Sequence, residues 1–280
     1  MRKKFLFLLF GYFLTTACAD NSLTQSYEIS RFKVLALVAD KPETLPGETV
    51  TITPFISDIL GNGRPLTVSA SACLDPGVGV GALPTCAGSP SENLLAKDVI
   101  LNGPSGPTYT GYSDTQIVLT TPESSIIFDQ VSLEAQQRGV NYLVSFEFKT
   151  GGEVLEKSFK RIIVSTSPVQ NTNPVFDTPA IVDAKGDLQR LDAEKKIFGK
   201  FTPESIESYV DLISGAPQTQ QEKLFISWFV SRGNFSLANT NASDGTIWKP
   251  DPEENNSIPF VLVLVLRDNR GGMTVTQKIF

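Results

Sequence analysis

Seven consecutive apolar residues, Phe260 to Leu266, constrain the fold of this chain more than any other stretch. A helix that crosses a bilayer needs about 20 apolar residues, so the run is far too short for one. In a strand, successive side chains point to opposite faces, and an unbroken apolar run means that both faces leave water. The run therefore predicts a doubly buried β-strand. Asp268-Asn269-Arg270-Gly271-Gly272 then reads as a turn, and Met273 to Phe280 as a closing strand.

The rest of the chain follows β logic. Phe32, Val34, Leu35, Leu37 and Val38 mark an apolar strand that ends at Lys41-Pro42. Val50 and Ile52 alternate with threonines after the Pro46-Gly47 turn, as a half-buried strand requires. Leu66 to Ala70 leads into Cys73, and Gln116 to Thr120 reads as a further strand. Tyr142, Val144, Phe146 and Phe148 alternate with polar residues, and Gly151-Gly152 turns the chain into Val154 to Val164 as a hairpin. Ser132 to Arg138 reads as a short helix stopped by Gly139.

Farther on, Ala180 to Val182 and Lys196 to Phe201 are strand candidates, and Pro203 suits the first turn of a brief helix. Leu224, Ile226, Trp228 and Val230 share one strand face, expected to point inward. Thr246-Ile247-Trp248 starts another short strand. Residues 165–174 are polar and strand-breaking, so a domain boundary belongs there. The resulting division is a first domain at 31–166, a linker at 167–174 and a second domain at 175–280.

The start of the chain carries different information. Arg2, Lys3 and Lys4 precede a short apolar segment ending in Thr15-Thr16-Ala17, the pattern of a secretory signal peptide over residues 1–17. Leu14-Thr15-Thr16-Ala17-Cys18 resembles the lipobox of bacterial lipoproteins, although Thr15 stands where that family prefers Leu, Ile or Val. The resemblance implies cleavage before Cys18 and a diacylglycerol on its thiol, so residues 18–30 would form a lipid-anchored tether. Two or more acyl chains hold a protein on a membrane stably, whereas one holds it marginally. By the same resemblance, Ala19 rather than Asp after the cysteine implies the outer membrane, facing the periplasm or the cell surface.

Charge and cysteine count bear on that reading. Cleavage removes three basic residues and no acidic one, taking the formal net charge from −6 to −9. An acidic surface argues against nucleic acid and against electrostatic docking on anionic lipid. With Cys18 assigned to lipid, Cys73 and Cys86 remain as an even pair around a Gly/Pro-rich loop, either disulfide-bonded or as two buried thiols. No histidine occurs anywhere, which removes Ser-His-Asp and Cys-His catalysis and most zinc hydrolases.

Short strands, frequent turns and a central tryptophan predict an all-β chain of two tandem immunoglobulin-like β-sandwiches. Phe225 to Phe229, Gly233, Thr246 to Pro250 and Leu266 to Gly272 resemble the closing half of a PKD-like module. Val34 to Leu37 and Pro46 to Ile52 resemble the start of similar modules in envelope lipoproteins. Asp244, Asp251, Glu253, Glu254 and Asp268 could bind calcium, but they lack a D-x-D-x-D-G spacing and read as solvated turn residues. No carboxylate pair is placed for glycoside hydrolysis, and Trp248 reads as core rather than as a sugar-stacking platform.

The expectation is thus a non-enzymatic envelope protein without metal or cofactor, attached to the membrane through acyl chains on Cys18. It would bind another envelope protein or a glycan through loops on its sandwiches. The alternative is a structural or spacer subunit of a larger envelope assembly.

Overall fold

The computed structural model describes residues 26–77, 82–104, 106, 109–213, 216–251 and 259–280. Cys18 and the expected signal peptide lie outside the described residues. Among the described residues the fold is all β, with two short helices, α1 (Ser124–Ile127) and α2 (Leu133–Arg138), and one 3-10 turn. The helix expected before Gly139 is α2, and the Ser132 hydroxyl caps it by accepting the Ala135 N–H at 3.2 Å.

The first half packs two sheets around one core. One sheet joins β1 (Lys33–Ala39), β3 (Thr49–Ser57), β6 (Thr110–Tyr112) and β7 (Ile117–Thr120). The other runs in the order β2 (Glu43–Thr44), β9 (Glu153–Val164), β8 (Val140–Thr150), β4 (Thr67–Leu74), β5 (Asn93–Ile100). Its pairings are antiparallel except for the short parallel β2–β9 ladder. Tyr142, Val144, Phe146 and Phe148 alternate into the core against Val50, Ile52, Ile56 and Leu119 of the facing sheet. Gly151 and Gly152 both take positive φ, the backbone that a two-residue hairpin turn between β8 and β9 requires.

The second half repeats the arrangement. One sheet runs β17 (Asn239–Asn241), β15 (Phe225–Val230), β19 (Val261–Arg267), β20 (Met273–Ile279). Its partner runs β11 (Gly186–Asp187), β10 (Phe176–Asp183), β12 (Lys195–Phe201), β18 (Thr246–Lys249), β16 (Asn234–Phe235). Leu224, Ile226, Trp228 and Val230 all enter this core, as their shared face predicts. Trp228 donates its indole N–H to Thr240 Oγ1 at 3.0 Å, and Trp248 donates to the Arg232 carbonyl at 3.1 Å. Both tryptophans are therefore buried with their one polar atom satisfied. A separate hairpin, β13 (Ser208–Ile213) and β14 (Ala216–Gln221), stands apart from both sheets.

The doubly buried strand is β19, and its two faces serve different cores. Leu262, Leu264 and Leu266 fill the second sandwich. Val261, Val263 and Val265 pack instead on Leu35, Ala36 and Phe55 of the first half, together with Ile29. A bulge between Val34 and Ala36 of β1 lets Leu35 and Ala36 reach this seam while Leu37 and Ala39 enter the first core. Burying a side chain of this size contributes about 1.5–3 kcal/mol relative to exposure. The seam thus joins the outer face of one sandwich to the outer face of the other.

Two segments expected to be loose connections take part in this packing. At the end of the expected tether, Ile29 is fully buried, its N–H bonds the Val230 carbonyl at 3.3 Å, and Glu28 forms a parallel bridge with Val230. In the connection between β9 and β10, Asn173 donates to the Ala39 carbonyl at 2.7 Å and accepts the Met273 N–H at 2.9 Å. From sequence the first segment reads as a tether and the second as a linker. Their amide groups instead satisfy strand ends on both sides of the seam.

Candidate functional site at the junction

The turn joining β19 to β20 organises the junction. Asp268 Oδ1 accepts the N–H groups of Arg270 and Gly272, each at 2.8 Å, and the Asp268 N–H returns to the Gly272 carbonyl at 3.1 Å. A Cβ at Gly272 would sit 2.1 Å from Asp268 Oδ2 and 2.8 Å from the Thr172 carbonyl, so only glycine fits. Asp268 Oδ2 also accepts from Asn171 Nδ2 at 3.1 Å, tying the turn to the connection between the halves.

This turn projects Arg270 into a cluster of carboxylates. Its guanidinium bonds Glu43 of β2, lies 3.3 Å from Glu222 Oε1 and 3.8 Å from Glu207 Oε2, and covers the Tyr209 ring at 4.8 Å. Glu43 accepts in addition from the Ser165 hydroxyl at 2.6 Å and the Asn171 N–H at 2.9 Å. Lys160 of β9 donates to the Gly271 carbonyl at 2.5 Å. One continuous polar network therefore runs from the first sandwich through the connection into the second.

Charge is unevenly distributed within the network. Burial, followed by the negative charges of Asp268 and Glu207, pushes Glu222 up to about 7, with Arg270 opposing. Burial pulls Lys160 down to about 8 against the attraction of Asp268. A buried ion network of this kind adds little net stability, but removing one partner strands the others and costs about 3–5 kcal/mol.

A groove of about 610 Å³ opens over the network, within the size range of small-molecule sites. Its walls are the projecting β13–β14 hairpin, through Tyr209 and Val210, the end of α2 at Arg138, and Pro168 and Val169 of the connection. Glu43 and Arg270 form its floor. Val169 and Val210 are both about two-thirds exposed, so the groove offers apolar walls over a charged base. Such a surface suits binding.

The structure places the other expected site residues elsewhere. Cys73 and Cys86 are joined, with Cα atoms 5.5 Å apart, and both are fully buried beside Leu143 and Phe159. Trp248 stacks on Phe260 at 5.7 Å inside the core. Asp268 is bound up in the junction turn, whereas Asp244 accepts hydrogen bonds from Asn241 and Ser243; Glu253 and Glu254 lie outside the described residues. Among the described residues, no group of three His, Cys, Asp or Glu side chains could hold a metal ion. No protein-family model matches the chain, and no curated protein is similar to it in sequence.

Sequence reasoning missed Glu43, Glu207, Glu222 and Arg270 as a cluster, because they come from four separate segments. Lys160 did carry a readable signal. It shares the inward register of β9 with Ile162 and Val164, and a cation at such a position needs an internal partner.

Proposed function

We propose that this chain is a lipid-anchored cell-envelope protein, non-enzymatic, in which two immunoglobulin-like sandwiches present one fixed binding surface. The observation that carries the reading is the seam: Val261, Val263 and Val265 of β19 pack on Leu35, Ala36 and Phe55, and Arg270 bridges to Glu43 across the same junction. Domains fused in this way do not swing, so a groove between them keeps its shape and favours pre-organised binding. The buried cysteine pair, Cys73 with Cys86, agrees with an oxidising envelope. The lipobox-like segment ending at Cys18 supports the lipid anchor, and Ala19 after it supports the outer membrane.

Mass spectrometry of the amino-terminal peptide from purified envelopes tests the anchor, and an unmodified Cys18 would remove it. Saturable binding of a purified glycan or envelope protein, lost on Tyr209→Ala, tests the groove. The reading fails if a screen of envelope glycans and solubilised envelope proteins yields nothing that depends on Tyr209.

A second reading, a structural subunit of an envelope assembly, has its own support. β5 ends its sheet with Leu94 and Ile100 more than 60% exposed and Val99 partly so. Apolar side chains on an edge strand suit pairing with another protein, although Lys97, Asp98 and two register shifts interrupt the edge. Stoichiometric co-purification that is lost on Ile100→Lys would favour this reading.

A further inference from the structure

We infer that a second cleft, lined in part by Arg267, Gly271 and Met273 of the β19–β20 hairpin, binds a carboxylate carried on a small apolar group. The cleft encloses about 360 Å³ between Val34–Leu37 of β1, Ser158–Arg161 of β9, and Arg267, Gly271 and Met273 of the last hairpin. Its charged lining residues are Lys160, Arg161 and Arg267, and no carboxylate lines it.

Arg267 is the unusual member. Its Nε is buried without a hydrogen-bond partner, and its terminal nitrogen makes only a 3.5 Å contact to the Leu35 carbonyl. Arg267 as a whole is part-buried, and a cation whose buried Nε lacks a partner is costly unless something else satisfies it. Burial lowers the Arg267 pKa from its ordinary value. Lys160, 4% exposed, spends one donor on the Gly271 carbonyl and is repelled by Arg267.

The nearby acids are already engaged. Asp75 pairs with Arg161 at 2.6 Å, Glu156 accepts the Val34 N–H at 3.0 Å, and Asp268 closes its own turn. Two cations therefore face the cleft with unused donors. A planar carboxylate matches the Arg fork in a bidentate manner, and Lys160 adds a point charge beside it. Of the apolar residues around it, Val34, Phe159 and Met273 keep exposed surface and suit a short aliphatic body.

Calorimetric titration of the purified full-length chain tests this at constant ionic strength in chloride. The probes are butyrate, the peptide acetyl-Ala-Val with a free carboxylate, the same peptide amidated, and inorganic phosphate. Saturable binding of butyrate or the free-acid peptide is expected, and whichever binds more tightly names the source as a free acid or a chain end. Arg267→Met is expected to weaken binding at least tenfold, and Arg267→Lys to restore it only in part. Among the described residues Arg267 makes no salt bridge and no side-chain-to-side-chain hydrogen bond, so both variants are expected to fold, which an unchanged circular dichroism spectrum verifies. Absence of saturable binding overturns the inference. So does amide or phosphate bound as tightly as the acids, or equal binding by Arg267→Met.

Discussion

Arg270 bonds Glu43 across 227 positions of sequence, and this contact ties the last hairpin of the second sandwich to the shortest strand of the first. Glu43 sits on β2, only two residues long, held by its parallel pairing with Ile163 and Val164. A pair so placed makes the junction sensitive to the loss of either member.

Arg270→Met leaves Glu43 and Glu222 buried without their cation. The expected loss is about 3–5 kcal/mol in urea unfolding. Arg270→Met combined with Glu43→Gln recovers part of that loss, because the stranded charge is gone. A double variant as unstable as the sum of its singles would show that the two side chains are not coupled.

The raised pKa of Glu222 gives the junction a pH dependence of known sign. Its ordinary value is 4.5 and folding moves it to about 7, so the folded chain binds more protons between those values. The contribution is fully present below pH 4.5 and is lost as pH rises through about 7. Glu207, Asp268 and Arg270 face the same carboxyl group. Glu222→Gln is therefore expected to flatten the fall in melting temperature between pH 5 and pH 8, relative to the unmodified chain.

The cysteine pair closes a loop with a sequence separation of 13. Replacing both residues by serine is expected to cost about 3 kcal/mol in the chain-entropy model. Reductant should then affect the unfolding midpoint of the unmodified chain and leave that of the variant unchanged.

Val263 belongs to the seam, whereas its neighbours Leu262 and Leu264 belong to the second core. Val263→Ala is expected to cost about 1–3 kcal/mol. Val263→Asp places an unpaired charge between the sandwiches, and faster proteolysis within residues 167–174 is expected while the near-ultraviolet signal of Trp228 and Trp248 persists. Unchanged proteolysis would mean that the seam does not hold the halves together.

Much of the strand framework was legible because half-buried strands carry a period of two. The β8–β9 hairpin and the inward face of β15 follow directly from alternating residues, and Gly151-Gly152 marks the turn. β5 escaped notice because, as a largely exposed edge strand, it has Leu94, Val99 and Ile100 outside and little alternation to read. The β13–β14 hairpin escaped because Pro217-Gln218-Thr219-Gln220-Gln221 buries little side-chain surface. For the seam, the run from Phe260 signalled two covered faces, but nothing local says what covers the second. The ion cluster lies further still from local pattern, since Glu43, Glu207, Glu222 and Arg270 meet only after both sandwiches have formed.

The division of labour along β19 also limits how this gene region can change. Leucines and valines take turns there, so adding or deleting a single codon would exchange the two sets wholesale, pushing branched residues into one interior and longer ones into the other. Conservative apolar replacements at these positions can be absorbed singly. A frame-preserving length change cannot, and the strand should be the part of the chain most intolerant of insertions.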